Sequence, residues 1–471
     1  MIYHFCILNF MIQLINLIEA SVIVLPLHQE ERYLNQVKTV VNASIGGNFD
    51  DGYYVLVNIG SPPQKLALLI DTGSSNLAVA ASSALPVKRY FHMNESESFH
   101  LTGKSVKIKY VQGQWSGTLG SDLISIPNSP SITTRCNVAC ILSSEDVFSN
   151  VSNWQGLLGL AYSAVAKPDS SVTPYFDALV ADGKVENIFS IALCDKPQIQ
   201  NVKQSQGKLV LGGIENSLYT GDILYTRIHK EWFYEVILTN ITVGSKKWEG
   251  HCSELNNDKT IIDTGTSALY LPEKVFTWVK QSLHKTDELK NQLNERFWKG
   301  QEDVCIQKGR SVSEYFHQIE MVFGETFNSS VSLVIPPELF LWKTPQIVPD
   351  NDCYKLGIAS SKVGTIIGAV ILEGFYVIYD RENKRIGFAN STCTHTTAAV
   401  IRTMNMPKDP KDCAHSYEEE SGSSLLVIAY ILSTLCILCA IPLLVMLTQW
   451  IWHHLIKKRG DTSEASSLID D

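Results

Sequence analysis

The sequence predicts an all-β protein with minor helices, organised as two similar lobes and followed by one C-terminal transmembrane helix. Short apolar runs that alternate with polar residues, separated by turns, fill the chain from Gly52 to about Cys393. The motif Asp-Thr-Gly occurs twice in similar surroundings, which indicates an internal duplication. Near the C-terminus, the 24 residues from Leu425 to Thr448 include no charged side chain.

The composition is that of a globular protein with more than one folded unit. The chain has 471 residues, of which 45% are apolar and 18% charged, and domains commonly span about 100–200 residues. A net charge of −9 argues against a nucleic-acid partner, because phosphate binding needs a basic surface. Neither a His-Glu-x-x-His nor a Gly-x-Ser-x-Gly motif occurs, and we expect no metal and no cofactor.

The first 20 residues are predicted to be a secretory signal peptide. They are almost uniformly apolar, carry no Lys or Arg, and end near Ala20; an uncleaved signal anchor is the alternative. Residues 21–46 are predicted to be a short prosegment. The basic residues between 21 and 50, besides His28, are Arg32 and Lys38, so this stretch offers no dibasic processing site.

The alternating pattern places strands and a few helices along the body of the chain. Gly, Asn, Asp and Pro interrupt the apolar runs, as expected of turns. The strands that we predict include Tyr53–Ile59, Lys65–Ile70, Val106–Tyr110, Lys208–Leu211 and Phe375–Tyr379, and the helices are Val172–Ala181 and Glu273–Leu293.

The duplication divides the body into an N-terminal lobe, 47–215, and a C-terminal lobe, 216–413. In the first copy an apolar run leads into Asp-Thr-Gly at 71–73, and an apolar-apolar-Gly segment follows at 157–159. In the second copy the same two features occur at 263–265 and 366–368. The simplest interpretation is that each lobe gives one carboxylate, Asp71 or Asp263, to a shared cleft.

Two carboxylates that share one proton can hydrolyse a peptide bond with water. When the carboxylates approach to about 3 Å they do not both ionise easily, so one can act as base while the other acts as acid. Gly73 and Gly265 remove side chains where the backbone must turn beside each carboxylate, and their N–H groups can donate to it. Asp71 and Asp263 are therefore the predicted catalytic residues.

The C-terminal segments predict a single-pass type I membrane protein. A juxtamembrane stalk is expected at 414–424, a transmembrane helix at 425–452 and a cytoplasmic tail at 453–471. Lys457, Lys458 and Arg459 follow the apolar stretch, and the basic flank of a span stays in the cytoplasm. Pro442 is tolerated in a membrane helix.

Cysteines and glycosylation sequons agree with a lumenal body. Cys136 and Cys140 would lie about 13 Å apart in a strand, too far to bridge each other. Excluding the signal region and the span, an even set remains, which indicates disulfides: Cys136, Cys140, Cys194, Cys252, Cys305, Cys353, Cys393 and Cys413. Asn-x-Ser/Thr sequons, which predict glycans, occur at Asn42, Asn94, Asn150, Asn240, Asn328 and Asn390.

The sequence resembles the pepsin-type aspartic proteases, and within them the membrane-anchored beta-secretase (memapsin) group. The resemblance covers roughly residues 50–455 and includes Gly-Ser-Pro-Pro-Gln at 60–64, Asp-Thr-Gly-Ser-Ser-Asn-Leu-Ala-Val at 71–79 and Trp-Gln-Gly-Leu-Leu-Gly-Leu-Ala-Tyr at 154–162. Soluble pepsins typically carry Trp where this chain has Ala78. The resemblance implies the bilobal pepsin-like fold.

The resemblance also implies roles for residues around the two carboxylates. Thr72 and Thr264 would brace the two catalytic loops against each other, and Ser74 and Thr266 would donate to the outer carboxylate oxygens. Related secretases usually carry Ser at the position of Thr264, and both residues supply a hydroxyl.

A flap and a substrate pocket are implied as well. Tyr110 would cover the scissile bond and hydrogen-bond Trp115, while Gly113 lets the tip of the hairpin bend. Tyr270 stands where the mammalian enzyme has an Arg that favours acidic or polar substrate side chains, which argues against an acid-preferring P2 subsite. The disulfides implied are Cys194 with Cys393, Cys252 with Cys413, and Cys305 with Cys353; Cys136 and Cys140 have no counterpart.

The function implied is that of an aspartic endopeptidase that cuts extended segments of membrane-protein ectodomains, with type I membrane proteins as substrates. Glu464, Leu468 and Ile469 resemble an acidic dileucine signal for clathrin adaptors, which would favour endosomal cycling. One alternative is a catalytically silent binding protein or receptor, which the two whole motifs argue against. The other is a broad-specificity endolysosomal protease, which the anchor argues against.

Overall fold

The computed structural model describes residues 39–48, 52–110, 113–127, 129, 132–149, 152–194, 207–326, 329–344, 348–392, 400–404, 409–415 and 423–464. They fall into two units, one ending at Cys413 and one beginning at Ala414. The predicted signal peptide at 1–20 and residues 21–38 of the predicted prosegment lie outside the described residues.

The first half of the larger unit is built almost entirely from strands. Its elements are β1 Val41–Asn48, β2 Gly52–Ile59, β3 Gln64–Asp71, β4 Leu77–Ala80, β5 His100–Lys109, β6 Gln114–Ser125, β7 Thr134–Glu145, β8 Gly156–Gly159, α1 Tyr175–Ala181, β9 Ile188–Ala192 and β10 Lys208–Leu211.

The second half adds strands and short helices. Its strands are β11 Tyr219–Arg227, β12 Lys230–Glu231, β13 Tyr234–Glu235, β14 Leu238–Val243, β15 Lys246–Lys247, β16 Thr260–Ile262, β17 Leu269–Pro272, β18 Val304–Gln307, β19 Ile319–Thr326, β20 Ser329–Ile335, β21 Leu341–Lys343, β22 Asn351–Leu356, β23 Ile358–Ser361, β24 Thr365–Ile367, β25 Phe375–Asp380, β26 Arg385–Ser391 and β27 Val400–Met404. Its helices are α2 Glu273–Ser282, α3 Glu295–Trp298, α4 Pro337–Phe340 and α5 Ala369–Leu372.

A sheet of 13 described strands joins the two halves, in the order β11-β26-β25-β9-β10-β1-β2-β3-β8-β4-β7-β6-β5. The junction is the antiparallel pair of β25 and β9, in which Tyr379 lies opposite Phe189. The other large sheet has the order β12-β13-β16-β24-β17-β23. The all-β class with few helices is confirmed, whereas the boundary predicted at residue 215, in the loop between β10 and β11, stays a prediction.

The internal duplication is visible in strand pairing. In the first half, β3 runs parallel to β8, β8 antiparallel to β4, and β4 parallel to β7. In the second half, β16, β24, β17 and β23 repeat those three pairings in the same directions. The apolar-apolar-Gly segment of each copy is therefore the strand that pairs with the strand before the Asp. Because β3, β8, β16 and β24 are buried, both of their faces require apolar residues.

Helix α2 is shorter than the sequence predicts. The predicted helix Glu273–Leu293 ends at Ser282, so the prediction was wrong beyond that residue. Immediately after it the chain pairs with a neighbouring segment: the Lys285 amide donates to the Tyr315 carbonyl at 2.7 Å, and the His317 amide donates to the Leu283 carbonyl at 2.8 Å. These tertiary hydrogen bonds replace the helical ones.

The C-terminal unit contains one long helix, α6 Ser423–Glu464. Within it, Ala429–His454 is long and apolar enough to cross a membrane, and Pro442 lies inside the helix. The predicted C-terminal apolar helix is thus confirmed, a few residues displaced from the predicted bounds of 425–452.

Candidate active site

Asp71 and Asp263 occupy equivalent places at the ends of paired strands. Asp71 is the last residue of β3 and lies opposite Gly159 of β8. Asp263 directly follows β16, and its amide donates to the Ile367 carbonyl of β24 at 3.0 Å. The buried parallel pairs hold the two backbones in place, so the carboxylates emerge where the strands end.

The loops that carry Asp71 and Asp263 pack against each other so closely that only glycine fits beside each carboxylate. A β-carbon built on Gly73 would lie 2.5 Å from the carboxylate carbon of Asp263. A β-carbon built on Gly265 would lie 2.4 Å from Oδ1 of Asp71. Each loop therefore touches the carboxylate of the other half, and the two acidic side chains face a common site.

Hydrogen bonds fix the two carboxylates in the same way. The Gly73 amide donates to Asp71 Oδ1 at 2.8 Å, and the Ser74 hydroxyl donates to Asp71 Oδ2. The Gly265 amide donates to Asp263 Oδ1 at 2.9 Å. Thr266 Oγ1 donates to Asp263 Oδ2 at 2.6 Å, so each carboxylate has one backbone and one hydroxyl donor.

Thr72 and Thr264 link the loops by exchanged hydrogen bonds. Thr72 Oγ1 accepts from the Thr264 amide at 3.0 Å and donates to the Ile262 carbonyl at 3.0 Å. Thr264 Oγ1 accepts from the Thr72 amide at 3.2 Å and donates to the Ile70 carbonyl at 2.8 Å. Since both side chains are buried, breaking this exchange would leave polar groups without partners.

The electrostatics of the pair favour a shared proton. Burial, followed by the negative charge of Asp263, raises the pKa of Asp71 to about 7, although the hydrogen bonds from Ser74 and Gly73 act in the opposite direction. Burial also raises the pKa of Asp263, against hydrogen bonds from Thr266 and Gly265. The two groups interact directly, so their protons belong to the pair.

Tyr110 and Trp115 lie on the hairpin formed by β5 and β6. The Trp115 indole N–H donates to the Tyr110 hydroxyl at 3.1 Å, and Trp115 is buried. Burial and the charge of Asp71 raise the pKa of Tyr110, which places this phenol near the carboxylates. Gly113 has φ +82°, where glycine is favoured; residues 111–112 lie outside the described part.

The remaining predicted site residues have varied placements. Tyr270 is partly buried in β17, opposite Ile366 of β24.

Two of the predicted disulfides are present. Cys252 is bonded to Cys413, and Cys305 is bonded to Cys353, its partner across β18 and β22. Cys194 is in a disulfide, while Cys393 lies outside the described residues. Cys136 and Cys140 are free and buried.

The sequons divide by exposure. Asn94 is exposed and Asn390 partly exposed. Asn240 is 7% exposed in β14 and donates to Thr242 Oγ1 at 3.1 Å, so burial argues against the predicted glycan there. The side chains of Asn42, Asn150 and Asn328 lie outside the described part, as do those of the predicted sorting residues Glu464, Leu468 and Ile469.

Sequence reasoning missed one residue beneath the site. Tyr379 is fully buried in β25, and Thr72 and Asp263 both influence its pKa. The sequence around a tyrosine in a buried strand does not show that this residue lies beneath the site.

No group of three His, Cys, Asp or Glu side chains in the described residues is placed to hold a metal.

Comparisons with known proteins identify the chain. The profile of the eukaryotic aspartyl protease family matches residues 52–391. A beta-secretase of Strongylocentrotus purpuratus is 38% identical over 90% of this chain and 84% of its own length. A gastricsin of Oryctolagus cuniculus is 27% identical over 72% of this chain and 81% of its own, and pepsin-2B of Gadus morhua is 27% identical over 72% and 96%. The chain belongs to the eukaryotic aspartyl protease family and is an aspartic-type endopeptidase.

Proposed function

We propose that Asp71 and Asp263 are the catalytic pair of this endopeptidase and that its substrates are extended segments of membrane-protein ectodomains. The observation that carries the proposal is the mutual packing of the catalytic loops, in which Gly73 touches the carboxylate of Asp263 and Gly265 touches that of Asp71.

The proposed reaction uses the single proton of the pair. The ionised carboxylate accepts a proton from water as the water oxygen attacks the peptide carbonyl carbon, and the protonated carboxylate donates to the carbonyl oxygen. The carboxylate that took the water proton then donates it to the amide nitrogen and the C–N bond breaks. As the carbonyl re-forms, a hydroxyl of the tetrahedral intermediate releases its proton to the other carboxylate, so the pair again holds one proton. Ser74 and Thr266 orient the outer oxygens throughout.

Tyr110, Trp115 and Gly113 are proposed to act as the flap. The Trp115 indole N–H donates to the Tyr110 hydroxyl, and this bond is proposed to hold the phenol over the pair, where it would exclude water and help keep the peptide extended. Thr72 and Thr264 are proposed to keep the catalytic loops in register.

Tyr270 is proposed to line the P2 subsite and to leave it without a preference for acidic side chains. Replacing Tyr270 with Arg should introduce a cation that attracts carboxylates. In a peptide library, Tyr270→Arg is expected to raise kcat/KM for Asp or Glu at P2 relative to Leu by roughly tenfold, with little change at other positions. An unchanged P2 profile would remove Tyr270 from the subsite.

The membrane context is proposed from the apolar helix and the charges that flank it. The basic residues after the span favour a cytoplasmic tail and a lumenal protease, as in a single-pass type I protein of the secretory and endosomal pathway. We propose a cleaved signal peptide at 1–20, a prosegment at 21–46, the disulfide of Cys194 with Cys393, and adaptor binding through Glu464, Leu468 and Ile469.

Asparagine variants of the full chain test the catalytic assignment. Asp71→Asn and Asp263→Asn should each reduce kcat for a peptide substrate by at least about 1000-fold, because neither variant pair can exchange the proton. Asp169→Asn, which changes an exposed carboxylate bound by Lys104 and Ser171, is the matched control and should retain full activity. Cleavage that persists in either active-site variant would favour another catalytic centre.

A further inference from the structure

A cluster of aromatic side chains lies directly beneath the catalytic loops. Tyr379 stacks face to face on Phe189, with ring centroids 4.6 Å apart, and meets the ring of Tyr234 edge-on at 4.7 Å. The Tyr234 hydroxyl donates to the Leu160 carbonyl at 2.5 Å, and the Leu160 amide donates to the Asp71 carbonyl at 2.8 Å. The cluster therefore supports the backbone of the first catalytic residue.

Within this cluster the hydroxyl of Tyr379 has no evident structural use. Tyr379 is fully buried, and its hydroxyl is one of the buried polar groups in the described residues that make no hydrogen bond of normal length. A phenylalanine would make the same ring contacts without burying a hydroxyl, so stability alone does not explain a tyrosine here.

The position of the hydroxyl suggests a use. Burial raises the pKa of Tyr379, the adjacent Thr72 hydroxyl lowers it, and the charge of Asp263 raises it further. Thr72 Oγ1 already donates one hydrogen bond and accepts one, and its second lone pair can accept another. Asp263 is a charged group that acts on Tyr379, whereas Arg381 and Asp177 act on the neighbouring Tyr234.

We propose that Tyr379 is a positioning residue for catalysis: its hydroxyl donates to Thr72 when substrate is bound and so holds the Asp71 loop against the Asp263 loop. Catalytic hydrogen bonds are often long in the free enzyme and shorten in the complex. A donor pointing toward the loops also favours the ionised state of the pair. The inference rests on the proposed catalytic roles of Asp71 and Asp263.

Tyr379→Phe in the full chain tests the proposal, because it removes the hydroxyl and keeps the ring. We expect kcat to fall roughly three- to tenfold with KM unchanged, as for a slight misplacement of catalytic groups. The basic limb of the kcat/KM profile should move to higher pH by about 0.3 unit, because the ionised pair loses a favourable dipole. Circular dichroism and Tm would verify folding.

Tyr376→Phe is the matched control. It removes a buried hydroxyl from the same strand, one that bonds Ser190 at 2.5 Å and the Glu215 amide at 2.9 Å, away from the catalytic loops. It should lower Tm and leave kcat and the pH limb unchanged.

Two results would overturn the inference: a Tyr379→Phe enzyme with the kcat and pH limb of the wild type, or the same limb shift in Tyr376→Phe. Either result counts only against Tyr379 if Asp263→Asn still abolishes cleavage. If Asp263→Asn retains cleavage, the proposed function itself fails.

Discussion

In the proposed mechanism, Asp71 has to be buried enough to bind a proton tightly and still release it during each turnover. The pair achieves this because each carboxylate keeps two fixed donors, and the shared proton offsets the repulsion between them. This compromise has a thermodynamic consequence, since a raised folded-state pKa changes stability with pH.

Asp71→Asn should remove the loss of stability that the raised pKa of Asp71 causes as the pH rises. The folded protein holds the proton of the pair up to about pH 7, the raised pKa of Asp71, whereas a carboxyl group of the unfolded chain releases its proton near pH 4. The stabilisation that this proton gives the folded state is therefore full below about pH 4. It is lost as pH rises, by ~1.4 kcal/mol for each unit of pKa shift. The Tm of Asp71→Asn minus that of wild type should therefore increase between pH 4 and pH 7.

Asp169→Asn is the control for this experiment, and its Tm difference from the wild type should change with pH in the opposite direction. Hydrogen bonds from Ser171 lower the pKa of the exposed Asp169, so its contribution is present at neutral pH and lost as pH falls. Scanning fluorimetry of Asp169→Asn should show a small Tm deficit that is larger at pH 7 than at low pH. A Tm difference for Asp71→Asn that stays constant with pH would contradict the raised pKa.

Single functional residues were predictable where a short sequence motif contains them. The repeated Asp-Thr-Gly pointed to Asp71 and Asp263, and a hydroxyl three positions after each Asp can reach its carboxylate. Tyr379 could not be found in this way, since the role proposed for it depends on β25 lying under the loop of Thr72, which is 307 residues away in sequence. Burial of the Asn240 sequon is likewise a property of the packed β14.

At the scale of elements, one side-chain hydrogen bond connects Tyr110, directly after the end of β5, to β6. Trp115→Phe removes the indole N–H that holds Tyr110, so the phenol should be less often in place over the pair. We expect kcat/KM to fall roughly tenfold, together with a loss of about 1–2 kcal/mol in the free energy of unfolding from the smaller ring.

Trp298→Phe separates the two effects of that substitution. The Trp298 indole also donates a hydrogen bond, to the Leu293 carbonyl at 3.0 Å, and Trp298 is similarly buried in the second half. Trp298→Phe should lose about as much stability as Trp115→Phe but retain the kcat/KM of the wild type. Equal kinetic defects in both variants, measured with one peptide substrate, would mean that Trp115 acts through general stability.

Strands were predictable where apolar residues alternate or run together, and less so at exposed edges. The predicted strand Val106–Tyr110 covers only the last part of β5, which begins at His100. The start of β5 was missed because its first six residues are exposed and have no alternating pattern. The helix that ends at Ser282 was predicted too long. Helical periodicity continues in the sequence after Ser282, but the backbone there forms hydrogen bonds with residues 315–317 instead of continuing the helix.

At the scale of the molecule, neither half contains a complete catalytic pair. The first half supplies Asp71 and the second Asp263, so the proposed mechanism requires both halves to fold and to meet along the shared sheet. The Cys252–Cys413 disulfide, which joins residues separated by 161 positions, ties the end of the larger unit to the second half and restricts the unfolded chain. The duplication was readable in sequence, whereas the strand pairings that join the halves were not.

The apolar helix gives the last prediction. A protease and a substrate in one bilayer search a smaller volume than two soluble molecules, so anchoring raises their effective concentration. A chain ending after His415 keeps the Cys252–Cys413 bond and the whole larger unit, and it should cleave a soluble peptide with the kcat/KM of the full chain. In vesicles that carry a single-span substrate, the full chain should be faster by at least about tenfold, and the advantage should disappear when the substrate is released from its own anchor. Equal rates on the anchored substrate would show that the helix does not direct the enzyme to membrane proteins, and would favour soluble polypeptides as its substrates.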